Sequence, residues 1–301
     1  MGKDPHGSMV GTPAMSGPGR ASTPRSSPGV RYLLGHTDHE LRRLGIQGDL
    51  YREVTLRGFR EAGVGPGMRV LDIGCGTGDV SRVAAEIVGD SGSVLGIDRG
   101  PEAIRMAREI SANVGVPNTS FVVSELEAYT SLGDFDALVG RFILMHQEDP
   151  AAALSCAAGH VRSGGSVCMI ESYMNVLLTG AHSFPRSPLY DEIVRWKGQV
   201  VGGAGADLHA GGRLRNTFIA AGLPAPTTQM HARLEGGADS PYFEYIAQSV
   251  RSMLPEAARQ GLGGFTESDA DSLEQRLRSE VMTSDGVLVA WPVVVAHARV
   301  P

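Results

Sequence analysis

The chain is poor in positive charge, in cysteine and above all in lysine. Its 27 lysines and arginines face 33 aspartates and glutamates, a formal charge of −6 at pH 7. Without a surplus of cations no face is expected to neutralise a phosphate backbone, so nucleic acid is not expected as a partner. Lysine occurs only at Lys3 and Lys197, and arginine supplies the other cations. Three cysteines, Cys75, Cys156 and Cys168, form an odd set without zinc-type pairing. That argues against a disulfide framework and for a reducing, cytoplasmic setting. No apolar run reaches bilayer-spanning length, and the N-terminus lacks the charged-then-apolar order of a secretion signal, so a membrane is not expected as a partner either.

What is present is a chain of 301 residues, 42% hydrophobic, long enough for one large domain with insertions. Residues 1–30 are rich in Gly, Pro, Ser and Thr and are expected to be a disordered leader, with Met1–Met9 resembling a vector-derived start. Residues 31–301 are expected to form a single domain. A helix is predicted after Thr37, whose spacing to Glu40 suits a capping box, with a break at Gly45 and apolar rows Leu50-Val54-Gly58 and Tyr51-Thr55-Phe59. Strands are predicted at Arg69–Ile73, Ser93–Ile97, Ser120–Val123, Phe135–Val139 and Ser166–Ile170, the last preceded by a turn at Ser163-Gly164-Gly165. Helices Val80–Ile87, Ala103–Val114 and Ala151–Val161 fall between them. Further on, helices are expected at Leu189–Val201 and Gly211–Ala221 and a strand near Thr227–Leu234. Gly286–Ala290 and Val293–Ala296 are expected to complete the sheet as an antiparallel edge pair. The alternation predicts an α/β, Rossmann-like fold with a seven-stranded, mostly parallel sheet. A helical cap at 31–64 and lid insertions at 173–210 and 236–285 would surround it.

The most informative stretch is Asp72-Ile73-Gly74-Cys75-Gly76-Thr77-Gly78-Asp79, between a short apolar strand and a helix. A turn without side chains lets a nucleotide-like ligand lie against backbone N–H groups at a helix N-terminus. Dinucleotide folds place a third glycine where this chain has Asp79, and Gly78 comes one residue early. Asp98, 24 residues after Gly74 at the second strand's end, suits two ribose hydroxyls, with Arg99 beside it.

The pattern Asp-x-Gly-x-Gly-x-Gly resembles motif I of class I S-adenosylmethionine methyltransferases. Glu125-Leu126 at the end of the third strand resembles the acid and apolar residue that meet adenine in that family, with Glu in place of the usual Asp. Gly140–His146 resembles its substrate-side loop, with Arg141 where Asn or Ser is frequent. Tyr32–Leu44 and Phe218–Pro224 are similar to the actinobacterial small-molecule branch of the ubiquinone/menaquinone-type enzymes, among them natural-product tailoring C-methylases. The resemblance implies S-adenosylmethionine as cofactor and S-adenosylhomocysteine as product. Asp72, Gly74, Cys75, Gly76, Gly78, Asp98, Arg99, Glu125, Leu126 and Arg141 would hold it. It also implies that the N-terminal segment bearing Tyr32 and Gln47 folds over the cofactor.

For chemistry, Glu171 stands directly after the buried fifth strand, where a carboxylate needs a partner, a substrate proton or solvent. It is the candidate base, its alternative being a salt bridge to Arg141, and His146 is the second candidate. Tyr51, Tyr173, His182, Arg186, Trp196 and His209 are the candidate contacts for a small hydrophobic substrate. The expectation is C-methylation of a prenyl-type scaffold, with Glu171 stabilising a cation and removing a proton. O-methylation of a phenolic or polyketide hydroxyl is the alternative. No resident metal is expected: His36 and His39 lack a third ligand, and Mg²⁺ would enter only with a diphosphate substrate. The rival classes are a nicotinamide oxidoreductase and a non-catalytic S-adenosylmethionine-binding protein. A homo-oligomer, with the cap closing its own or a neighbour's site, stays open.

Overall fold

The computed structural model describes residues 38–129 and 135–301, with side chains from residue 42. The leader, Tyr32, His36, the side chain of His39 and the Thr37–Glu40 cap lie outside the described residues.

The first helix, α1 (Asp38–Glu61), runs unbroken through Gly45. A Cβ there would meet nothing within 4 Å, so the glycine sits exposed on the helix and costs only about 1 kcal/mol. The expected break is therefore absent. Near its end α1 lies so close to the sheet that a Cβ on Gly58 would come within 2.8 Å of Val295.

The apolar runs then form parallel strands, those in the middle of the sheet buried on both faces. β1 (Arg69–Ile73), α2 (Asp79–Val88), β2 (Ser93–Asp98), α3 (Pro101–Asn113) and β3 (Thr119–Val123) build one side of the sheet. β4 (Phe135–Arg141), α4 (Pro150–Ala158) and β5 (Val161–Ser172) build the other. β1 pairs with β2 on one edge and β4 on the other, both parallel, so the chain reverses its winding between β1 and β4. Ligands of open α/β sheets bind at the strand C-termini beside such a switch point. β5 starts earlier than expected. Ser163-Gly164-Gly165 is an irregularity within the strand, with Phe135 opposite Val161 and Ala137 opposite Ser166.

The rest of the chain covers this frame. α5 (Asn175–Thr179), β6 (Ser183–Phe184) and α6 (Pro188–Gly203) form the first insertion, and α7 (Ala210–Ala220) packs on the sheet. β7 (Thr227–His231) and β8 (Leu234–Glu235) follow, then the helices α8 (Tyr242–Arg259) and α9 (Glu267–Thr283) of the second insertion. β9 (Val287–Val289) and β10 (Val293–Arg299) end the chain. The main sheet has seven strands in the order β3-β2-β1-β4-β5-β10-β7, with β10 antiparallel to both neighbours. The antiparallel edge pair is thus β10 with β7. Residues 287–289, expected in that pair, instead join β6 and β8 in a separate three-stranded sheet. α8 packs on α1, α6 and α9, which brings the cap and both insertions together over the strand ends.

Candidate cofactor and acceptor cleft

Between β1 and α2 the three glycines all take positive φ, 63° at Gly74, 51° at Gly76 and 78° at Gly78. They do different work. A Cβ on Gly74 would strike Ile143 at 2.5 Å, and one on Gly78 would strike the Phe121 ring at 2.8 Å, so both permit close packing. Gly76 has nothing within 4 Å of that position: its backbone faces open space. Its N–H donates to Asp98 Oδ2 (2.9 Å), and the Gly100 N–H donates to Asp98 Oδ1 (2.8 Å). Each Asp98 oxygen keeps a lone pair, which suits a ribose diol.

A single cleft runs from here across the sheet's switch point. Gly74, Cys75, Gly76, Asp98, Arg99, Glu125, Leu126 and Arg141 line it, as do Tyr51 and His146. Two residues expected at the cofactor do not. Gly78 is turned into the packing just described. Asp72 is fully buried beneath the turn, where Oδ2 accepts from Ser81 Oγ (2.6 Å), Oδ1 has no partner, and burial pushes the acid up to about 8. Cys75 packs among Ile104, Ala107 and Phe121, and burial holds its thiol well above its usual value, so it stays protonated.

Arg141 ends β4 with its side chain enclosed. It is ion-paired to Asp79, donates to Thr55 Oγ1 on α1 (3.0 Å) and lies over the rings of Tyr51 and Phe142. The alternative pair with Glu171 does not form. Phe142, next in sequence, takes a positive φ of 59°, a strained conformation for a non-glycine residue, and meets Tyr51 edge-on at 5.3 Å.

Glu171 is fully buried and does not line the cleft. Oε1 accepts from the N–H groups of Ile143 (2.9 Å) and Leu144 (2.7 Å), and Oε2 from that of Met145 (3.4 Å). Burial outweighs these bonds and raises the acid to about 7. The carboxylate therefore holds the turn that carries His146. That histidine faces the cleft with Nδ1 unpartnered, and burial, with a smaller contribution from the charge of Arg99, lowers it to about 4. Its ring is neutral at pH 7 and is a weak proton acceptor.

Among the expected substrate contacts, Tyr51 lines the cleft and donates to Trp291 O (3.2 Å). Five others lie elsewhere. Tyr173 packs over Gly211 and Gly212 beside His209. His182 and Arg186 both hold Asp191, at 2.6 and 2.5 Å. Trp196 donates to Gly263 O (2.8 Å) and packs on Phe265. Its neighbour Lys197, about 100° further round α6, is the residue that turns into the cleft. There it joins Arg43, Tyr245, Met253 and Trp291, none of which were foreseen; the scarcity of lysine was the one available signal.

Among the described residues no three His, Cys, Asp or Glu side chains are placed to share a metal ion, and no helix is long and apolar enough to cross a membrane.

Comparison with known proteins agrees with this geometry. A family described as a methyltransferase domain matches residues 65–203. The chain is similar to the aklanonic acid methyltransferase DauC of Streptomyces sp. strain C5, 37% identical over 102 residues, 34% of this chain and 46% of that protein. It is also similar to the ubiquinone/menaquinone biosynthesis C-methyltransferase UbiE of Shewanella halifaxensis, 32% identical over 115 residues, 38% of this chain and 46% of that protein. The chain spans less than half the length of these curated relatives. Among solved structures, the YcgJ protein of Bacillus subtilis shares the fold with a TM-score of 0.54 at 17% identity, covering 83% of this chain and 99% of that one. Within this chain, residues 65–203 therefore match a methyltransferase-domain family, on a fold shared with the solved structure.

Proposed function

We propose that the protein transfers a methyl group from S-adenosylmethionine to a small, largely apolar acceptor. The observation that carries this reading is the continuity of the cleft. One end offers the open backbone at Gly76, the Asp98 carboxylate and Glu125-Leu126, a set that fits an adenosine with its attached chain. The other end, under α1, α6 and α8, is walled by Tyr51, Met174, Val201, Tyr245, Met253 and Trp291, which suit an apolar body. The relatives' names, an aklanonic acid methyltransferase and a ubiquinone/menaquinone C-methyltransferase, support an acceptor of small-molecule size.

When bound, S-adenosylmethionine supplies a methyl carbon already activated by its sulfonium. The protein's task is then alignment and exclusion of water. Asp98 would accept from the ribose hydroxyls, Glu125 from the adenine amino group, and the backbone at Gly74–Gly76 would bear the rest of the donor. Phe142, Ile143 and His146 would wall the donor's reacting end, on the turn held by Glu171. We read Glu171 as a positioning residue rather than the base.

Calorimetric titration with S-adenosylhomocysteine and with NAD⁺ tests the donor. Methyl-labelled S-adenosylmethionine, offered with prenyl diphosphates in the presence and absence of Mg²⁺, phenols and keto acids, tests the transfer. Binding of S-adenosylhomocysteine and a product heavier by one methyl group are expected. Tight NAD⁺ binding without S-adenosylhomocysteine binding overturns the reading.

A further inference from the structure

Lys197 is one of two lysines in the chain and is 2% exposed. Its Nζ lies 5.3 Å from the centroid of the Tyr245 ring and 5.2 Å from that of Trp291, and it lines the cleft. Among the described residues, no carboxylate stands within ion-pair distance of it. Beside it, the buried indole N–H of Trp291 has no acceptor.

Among the described residues, the charged and titratable groups at this end are Arg43 and Tyr51 from α1 and Tyr245 from α8, with Arg141 of β4 over the Tyr51 ring. Arg43 donates to Gln47 Oε1 at 2.6 Å, and the Tyr245 hydroxyl donates to the same oxygen at 3.3 Å. Tyr51 donates to Trp291 O. The free valences here, on Lys197 and Trp291, are hydrogen-bond donors, while the local acceptors are already engaged. A buried amine without a counter-charge is costly, and a ligand bearing an acceptor oxygen relieves that cost.

We propose that this end of the cleft is an acceptor subsite for the acidic oxygen of an aromatic molecule, phenolic, enolic or carboxylic, with the Lys197 amine as its partner. The proposal rests on the methyltransferase reading and narrows its substrate class. Burial, with the charge of Arg43 second, lowers the amine to about 7, so at neutral pH much of it is uncharged. A phenol or enol then gives its proton to Nζ, and the O–H electron pair stays on oxygen as an oxyanion beside the ammonium. That oxygen is the nucleophile. A cation formed by methylating an alkene would instead meet the charge of Arg43, and that of Lys197 whenever the amine is protonated, both of which repel it.

The scarcity of lysine makes the test specific. Reductive methylation with formaldehyde and dimethylamine–borane, read by peptide mass spectrometry on the wild-type protein, has only Lys3, Lys197 and the α-amine to modify. Labelling of Lys197 should rise with a midpoint near pH 7, and 1-naphthoate, unlike 1-naphthalenemethanol, should protect it about tenfold. Titration of 1-naphthoate at pH 7 in two buffers of different ionisation enthalpy should show uptake of about half a proton. In Lys197→Met that uptake should vanish and the affinity should fall about tenfold, with S-adenosylhomocysteine binding retained. Lys197 unlabelled at pH 8, or unchanged 1-naphthoate binding in Lys197→Met, overturns the subsite. Failure of the wild type to bind S-adenosylhomocysteine overturns the donor reading instead.

Discussion

Replacing Glu171 by alanine and by glutamine separates a carboxylate that holds backbone from one that moves protons. Alanine leaves the buried N–H groups of Ile143 and Leu144 without an acceptor, at about 1–3 kcal/mol each, and the longer 3.4 Å bond from Met145 adds little. With the cavity left by the side chain, the loss is about 3–6 kcal/mol. In a domain of this size that lowers Tm by roughly 6–20 °C. Glutamine keeps one oxygen for the two short bonds and removes the charge. The acid is held at about 7 against an ordinary 4.5, so the folded state binds this proton more tightly than the unfolded chain. The resulting stabilisation is fully present below pH 4.5 and is lost as pH rises through 7, a change of about 3 kcal/mol. Glutamine resembles the protonated acid and does not suffer that loss. Urea unfolding followed by circular dichroism should find Glu171→Gln near wild type at pH 5 and up to about 3 kcal/mol more stable at pH 8. Methyl transfer by the glutamine variant should stay within about threefold of wild type, whereas loss of a general base costs about 10²–10⁴. A folded Glu171→Gln protein with unchanged pH-dependence of stability and turnover down by that factor would refute the positioning role.

Lys197→Met should stabilise the protein at low pH. The amine is lowered from 10.5 to about 7, so its favourable contribution is present above 10.5 and lost as pH falls through 7, on the order of 5 kcal/mol. Denaturation at pH 6 and pH 9.5 checks that the variant's advantage shrinks at the higher value. Gly74→Ala places a Cβ 2.5 Å from Ile143 in a backbone with φ of 63°, so the turn must shift. Calorimetry should give at least about tenfold weaker S-adenosylhomocysteine binding, with the far-ultraviolet spectrum unchanged. Asp98→Ala removes the acceptor for the Gly76 and Gly100 N–H groups as well as the ribose contacts, and should weaken the same binding by about 30- to 100-fold.

The central strands were legible because each holds an apolar run buried on both faces; the early start of β5 at Val161 escaped because Arg162–Gly165, ahead of its apolar run, reads as a turn. The misplacements fall where tertiary context decides. Gly45 reads as a helix breaker, yet α1 is held by packing on either side of it. Gly286–Ala290 has strand composition, but only the pairing of Val287–Val289 with β6 and β8 says which sheet it serves. The same division runs through the cleft. Its donor half comes from one local turn and the ends of neighbouring strands, so spacing along the chain carries it. Its acceptor half is gathered from α1, α6, α8 and the segment before β10, and which helix face turns inward cannot be read from residue type. Trp196 is the more tempting ligand contact by composition, and Lys197 is the one in the cleft.

Asp79 ties the two halves together. In a dinucleotide fold its position is a glycine that lets the helix press on the strand, and here Gly78 performs that service against Phe121, one residue earlier. The displaced position is then free to carry a charge. Asp79 pairs with Arg141 and sits where a Cβ on Gly48 of α1 would come 3.4 Å from its carboxylate. Arg141 in turn reaches Thr55 on α1. The spacing that distinguishes this glycine turn therefore also bears on the cap: Asp79 holds Arg141, and Arg141 holds α1 through Thr55. Because α1 bears Arg43, Gln47 and Tyr51, the acceptor end inherits its shape from the donor turn. Alignment of two small molecules would gain from such coupling, since a cap tied to the donor turn has little conformational entropy to lose when an acceptor binds.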